Sequence, residues 1–186
     1  MLGESADLET AAQLAGLDRA TATALVDALV EAEIVEHDQS SRELRFVHPL
    51  VQSAVYDDMP RGDRAHLHAR AARLLAHGRG DREAAATHLL LSDPGGEAAT
   101  VELLREVAGA ALARGAPETA FAFLRRAQRE AAPETVDAAL LFELGVAAAR
   151  SGQPDGVTLL TEAFALTRDQ PARARVGLEL AFALGV

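Results

Sequence analysis

The sequence predicts a mainly α protein with one small β-hairpin in its first third. About a fifth of the 186 residues are Ala, the strongest helix former, while aromatic residues make up 4%. Apolar residues recur at three-and-four spacing through most of the chain, the signature of helices with one buried face. Strict alternation of polar and apolar residues is confined to residues 42–47, which follow the polar stretch 37–41.

Composition excludes several function classes. With 49% apolar and 25% charged residues, the chain can bury a core of ordinary globular size. It has no Cys, which removes disulfides, thiolate metal sites and cysteine nucleophiles. All 18 basic residues are Arg. A chain without lysine cannot build a phosphate-binding P-loop or form a Schiff base. No apolar run approaches the roughly 20 residues of a membrane span, and no basic-then-apolar leader opens the sequence, so the expectation is a cytoplasmic protein. The net charge of −10 is unevenly placed. Residues 1–60 carry 12 acidic and 3 basic side chains, and residues 61–186 carry 16 and 15. The shift falls near Met59-Pro60-Arg61-Gly62, where Pro and Gly also interrupt the helical pattern.

Within the first third the elements run helix, helix, hairpin, helix. Asp7 to Ala15 predicts a short helix closed by Gly16, and Asp18 is a good N-cap for a second helix from Arg19 to about Glu33. Ala22, Leu25, Val26, Leu29 and Val30 mark its buried face. Two helices across a tight Gly turn form a helix-turn-helix. Ile34-Val35-Glu36 and Leu44-Arg45-Phe46-Val47 then predict a hairpin, the wing. His48-Pro49 starts a further helix, with Leu50, Val51, Ala54, Val55 and Met59 along one face. Together these elements predict a winged helix over residues 1–60, with at most a truncated first helix.

Helices account for the remainder. Residues 61–98 read as connecting helices, one from Arg64 to about Ala76 with Leu67, Ala71, Leu74 and Leu75 inward, one from Glu83 to Leu91 with Ala86, Leu89 and Leu90 inward. Residues 99–186 read as repeated helix pairs, an α-solenoid. Val101, Leu104, Val107, Ala108, Ala111 and Leu112 form the first stripe. Gly115 ends that helix and Pro117 begins a partner carrying Ala120, Leu124 and Ala127, which ends before Pro133. The cycle recurs with Leu141, Leu144, Gly145 and Ala148, a stop at Gly152, and Gly156, Leu160 and Ala163 before Pro171. Gly115 and Gly152 lie 37 residues apart, close to the roughly 34-residue helix-turn-helix repeat.

These spacings resemble the tetratricopeptide pattern. Leu144-Gly145, Gly152 and Gly156-x3-Leu160-x2-Ala163 sit where that family places its Leu-Gly, its turn glycine and its small-x3-aromatic-x2-small run. Gly115, Ala120, Leu124 and Ala127 match one repeat earlier. Small residues let paired helices approach closely, and one large residue fills the gap. Leu stands at the aromatic position of both repeats.

A second resemblance lies at the junction. Leu44-Arg45-Phe46-Val47-His48-Pro49-Leu50-Val51-Gln52-Ser53-Ala54-Val55-Tyr56, with Arg64-Ala65-His66-Leu67-His68 and Ala86-Thr87-His88-Leu89-Leu90, is similar to the large LuxR-type ATPase regulators of the STAND class. In that class a P-loop ATPase module precedes a winged helix, helical repeats and a C-terminal DNA-binding domain. The resemblance covers most of the chain, is strongest over residues 42–90, and implies a middle segment of such a protein, truncated at its C-terminus, in which Met1 need not be a natural start. It implies ATP or ADP as the cofactor of the full-length protein and none in this segment. It implies the ATPase domain of the same chain as a partner, a protein or small-molecule signal on the repeats, and DNA contact only through a further domain.

Other candidates weigh less. Asp18, Arg19, Asp27, Glu31 and Glu33 leave the would-be recognition helix at −3, the wrong sign for duplex DNA. His66 and His68 lie two apart on different helix sides and make no i, i+4 metal pair. His88, on an apolar face beside Leu89, reads as a core or interhelix histidine. The carboxylates are dispersed and offer no acid/base pair, so no catalytic residue is assigned. Arg125, Arg126 and Arg129 beside Phe121 and Phe123 read as a solvated basic face, with a peptide groove as the lesser reading.

His48 is the candidate binding residue. A helix begun by His48-Pro49 presents free N–H groups and a positive dipole end, where an imidazole can donate to a phosphate oxygen. The resemblance implies that a winged-helix histidine at this place touches the nucleotide phosphate in the resting state, although the neighbours Val47 and Pro49 differ from the Met-His-Asp-like triplet of that class. The expected function is a non-catalytic regulatory and interaction segment of an ATP-dependent transcription regulator, with the winged helix as nucleotide-switch lid. The alternative is a free-standing winged-helix repressor with a helical ligand-sensing domain.

Overall fold

The computed structural model describes residues 6–38, 43–76, 81–132 and 137–185. The expected hairpin turn at 39–41, its flanking Arg42 and the break at Pro133 lie outside them. Among the described residues there are ten helices and one three-stranded antiparallel sheet. The chain divides into two compact units, Met1–Asp93 and Pro94–Val186.

In the first unit, β1 (Ala6–Asp7) leads into α1 (Leu8–Ala15), whose N-cap Asp7 accepts from the Thr10 amide at 2.9 Å. Gly16, at φ 71°, ends α1 in the left-handed conformation that a glycine adopts without cost. Asp18 caps α2 (Arg19–Glu31) through the Thr21 amide at 3.0 Å. Their hydrogen bonds hold both carboxyls below the usual carboxylate range. β2 (Val35–Asp38) and β3 (Glu43–Phe46) pair with Val35 opposite Phe46 and His37 opposite Leu44. β1 joins the other edge of β3, with Ala6 opposite Leu44. A two-residue strand carries no periodicity, so the sequence did not announce it.

α3 (Pro49–Asp58), α4 (Arg61–Ala76) and α5 (Arg82–Leu90) complete the unit, and α4 packs on both α5 and α1. α4 and α5, set apart by the sequence reading as connecting helices, belong to this compact unit. The inferred buried face of α2 is corrected. In α2 only Ala22 is buried, while Leu25, Leu29 and Val30 are exposed. α3 buries no residue, and Leu50 is 81% exposed. Leu90, expected inward on α5, is also exposed. Helical periodicity identifies which face is apolar; it does not supply an element to cover it.

The second unit is a run of packed helices: α6 (Ala98–Ala113), α7 (Pro117–Glu130), α8 (Ala138–Arg150), α9 (Gly156–Leu166) and α10 (Gln170–Leu184). Each packs against the next, and α8 also touches α10. The expected inward residues Leu104, Ala111, Leu124, Leu144 and Leu160 are all buried. α8 and α9 come closest. A Cβ added at Gly156 would lie 2.7 Å from the Ala149 backbone nitrogen, and one at Gly145 would lie 2.9 Å from Leu160 Cγ. Only hydrogen fits at these two crossings. On α10, Val176 is buried, whereas Leu178, Phe182 and Leu184 stand exposed. Leu180 and Ala183 on the same helix are half-buried.

Candidate functional site

His48 is the N-cap of α3, in extended backbone at φ −129°, and its side chain makes no capping hydrogen bond. The ring is exposed. The expectation of several free N–H groups there needs correction. Pro49 has none, and the Val51 and Gln52 amides both donate to the His48 carbonyl, at 3.0 and 3.3 Å. What remains for an anion is the imidazole and the positive end of a ten-residue helix. The exposed face of α3 begins two residues later with Leu50 and continues through Val51, Ala54 and Val55. His48 is thus a polar side chain beside uncovered aliphatic ones.

The other side of α3 meets a buried polar cluster. Tyr56 Oη lies 2.9 Å from His68 Nε2, and His68 Nδ1 lies 2.8 Å from His88 Nδ1. Both histidines are buried. The Tyr56 and His68 rings meet edge-to-face with centroids 5.9 Å apart. The Arg64 guanidinium sits 5.1 Å over the Tyr56 ring and 3.7 Å from Asp57. A neutral imidazole has one N–H and one bare nitrogen, so the short Nδ1–Nδ1 contact requires one ring to donate and the other to accept. Burial pushes His88 down to about 4, and His68 beside it adds to the effect. Burial likewise lowers His68, with the Arg64 charge contributing. His88 is the interhelix histidine its sequence position suggested. Its partner His68 was missed because sequence spacing set His68 beside His66, which is exposed. A histidine on α4 at the position of buried Ala71 and Ala72 was the available signal.

An open hollow of about 250 Å³ lies between α3 and β3, lined by Phe46, Gln52, Val55, Tyr56 and Met59. In the second unit a hollow of about 440 Å³ is lined by Phe142, Glu143, Arg168, Asp169 and Arg175 among others. Glu143 is already engaged: Arg105 grips it with two bonds, Nε at 2.9 Å and Nη2 at 2.7 Å, and these hold the guanidinium pKa above its ordinary value.

The expected basic face of Arg125, Arg126 and Arg129 does not exist as one surface. Arg126 is buried and paired with Glu130 at 3.0 Å. Glu130 also accepts from the backbone amides of Gly95, at 2.8 Å, and Glu97, at 3.3 Å. Arg125 instead bridges to Asp155 at 2.8 Å and lies 5.6 Å over Phe121. Arg126 falls on the same helix stripe as Phe123, Ala127 and Glu130, so it points inward with them. Among the described residues no three metal-ligating side chains gather, and no helix is long and apolar enough to cross a membrane. No protein-family model, curated protein or solved structure matches the chain.

Proposed function

We propose that this chain is a non-catalytic regulatory segment of an ATP-dependent, LuxR-type transcription regulator of the STAND class. In this reading residues 1–60 are a winged helix that closes over a nucleotide held by an ATPase module of the same full-length chain. The helix pairs of residues 99–186 are tetratricopeptide-like repeats that receive a protein or small-molecule signal and serve in assembly. The observation that carries the reading is the outward face of α3: an uncapped, exposed His48 continuous with exposed Leu50, Val51 and Val55. The element order β1-α1-α2-β2-β3-α3, with all three strands in one sheet, supports the winged helix. The glycine-mediated crossing of α8 and α9 supports the repeats. The mechanism is a population shift: nucleotide phosphate contacted by His48 favours the closed arrangement, and signal on the repeats favours the open one.

The decisive experiment replaces His48 by Ala in the full-length regulator. ADP affinity should fall about tenfold and basal activity should rise, because a charge-assisted contact of about 1–3 kcal/mol leaves the resting state. The 186-residue chain alone should bind neither nucleotide by calorimetry, having no lysine with which to build a P-loop. Unchanged ADP affinity in His48→Ala would remove the lid role. A gel shift of duplex DNA by this chain, strong at low salt and lost at high salt, would favour the repressor instead.

A further inference from the structure

We propose that Tyr56, His68 and His88 form a proton-operated clasp. It holds α3 against α4 and α5 while the imidazole pair carries at most one proton, and it releases α3 when the second arrives. This inference does not depend on the nucleotide reading.

The geometry sets the count of protons. With both rings neutral, one Nδ1–H donates to the other Nδ1 across 2.8 Å. A first proton fits on His68: its Nδ1–H donates to His88 and its Nε2–H to Tyr56 Oη, 2.9 Å away. A second proton fits nowhere. Two N–H groups would face each other across the same gap, and two positive charges would share a buried site. In the clasp it is His68, the ring that carries both bonds, that turns out, and the bond to Tyr56 goes together with the bond between α4 and α5. The low pKa values of both histidines, from burial above all, agree with this order of events.

Nearby charges do not relieve the conflict. On α3, Asp57 is engaged by Arg64, which is itself a cation beside the pair. On α5, Asp81 accepts from the Glu83 and Ala84 amides, and Glu83 is exposed. On α4, Asp63 is exposed. On α1, which packs against α4, Asp7 is engaged by Thr10 and Glu9 is exposed. α3 depends on the clasp because it buries no residue of its own. Its ties include the contact with β3, the Tyr56–His68 bond and the Arg64 contacts to Tyr56 and Asp57.

The protein carries its own reporter. Tyr56 is the sole tyrosine and there is no Trp, so intrinsic fluorescence reads the clasp alone. On lowering the pH of the 186-residue chain from 8, tyrosine emission should change through one step between about 6.5 and 4 while helical ellipticity at 222 nm holds. Amide exchange in residues 49–58, corrected for the intrinsic rate, should rise about tenfold across the same step, before exchange in residues 98–113 does. His88→Gln should abolish the step, whereas His66→Gln and Asp57→Asn should keep it. If His88→Gln fails to fold, histidine NMR of the unaltered chain decides: the His68 and His88 rings should titrate below the ordinary imidazole value. The proposal is overturned if tyrosine emission and α3 exchange change only with global unfolding, if Asp57→Asn abolishes the step, or if the His68 and His88 rings both titrate near the ordinary imidazole value of about 6.5.

Discussion

The two units reach compactness by different means. The six largest fully buried side chains, Phe123, Leu104, Leu124, Leu140, Leu144 and Leu160, all belong to the second unit. The first unit buries mostly small residues, Ala12, Ala22, Ala71, Ala72, Ala85 and Ala86, with Leu14, Val35 and Leu89. Its larger aliphatics on α2 and α3 face outward, and polar bonds do much of the joining: Tyr56 to His68, His68 to His88, and Arg70 to the Gln13 carbonyl at 2.9 Å. Apolar area removed from water stabilises at about 25 cal/mol per Å², so a core of alanines contributes far less than one of leucines. The second unit is stabilised from within, and the first leaves much of the apolar surface of α2 and α3 exposed.

The sharpest way to break this contrast is inside the second unit. Glu130→Ala leaves Arg126 buried without its partner and strips the Gly95 and Glu97 amides of an acceptor. It should cost about 3–5 kcal/mol by urea denaturation. Leu144→Ala, at a fully buried site, should cost about 2–5 kcal/mol in the same measurement. Acid distinguishes the units by direction. All six histidines lie within residues 1–93. Because His88 is depressed in the folded state, the unfolded chain takes up its proton first. The stability of the first unit should therefore be constant above about pH 6.5 and fall as pH drops from there towards about 4. Hydrogen exchange by mass spectrometry, resolved by unit, should find no matching histidine-linked loss in the second. Asp18→Ala, removing the α2 N-cap bond, should cost about 1 kcal/mol of melting stability. Smallest of all, Leu50→Ser should shift stability by less than about 0.5 kcal/mol, because that side chain touches mainly water.

The same contrast explains what the sequence could tell. Helices α6 to α9 were legible because large apolar residues at helical spacing found partners on neighbouring helices of the same kind. The α2 and α3 stripes have the same spacing, yet periodicity is a property of one helix and burial is a property of two. The N-cap Asp18 and the glycine stop at Gly16 were readable because their chemistry is local. His68 and His88 are 20 residues apart and belong to different helices, so their bond comes only from tertiary packing. Arg126 was legible in principle: the stripe of Phe123, Ala127 and Glu130 passes through it, and its i, i+4 carboxylate was in plain view. Reading charge type before helix face placed it outside.

Three ion pairs between helices of the second unit share one sense. Arg105 on α6 meets Glu143 on α8, Arg125 on α7 meets Asp155 on α9, and Arg150 on α8 meets Glu179 on α10. Each joins a helix to the second one after it, with the arginine always on the earlier helix. Individually such partly exposed pairs contribute little. As a set they give the array a direction, like a row of plugs each facing the next socket.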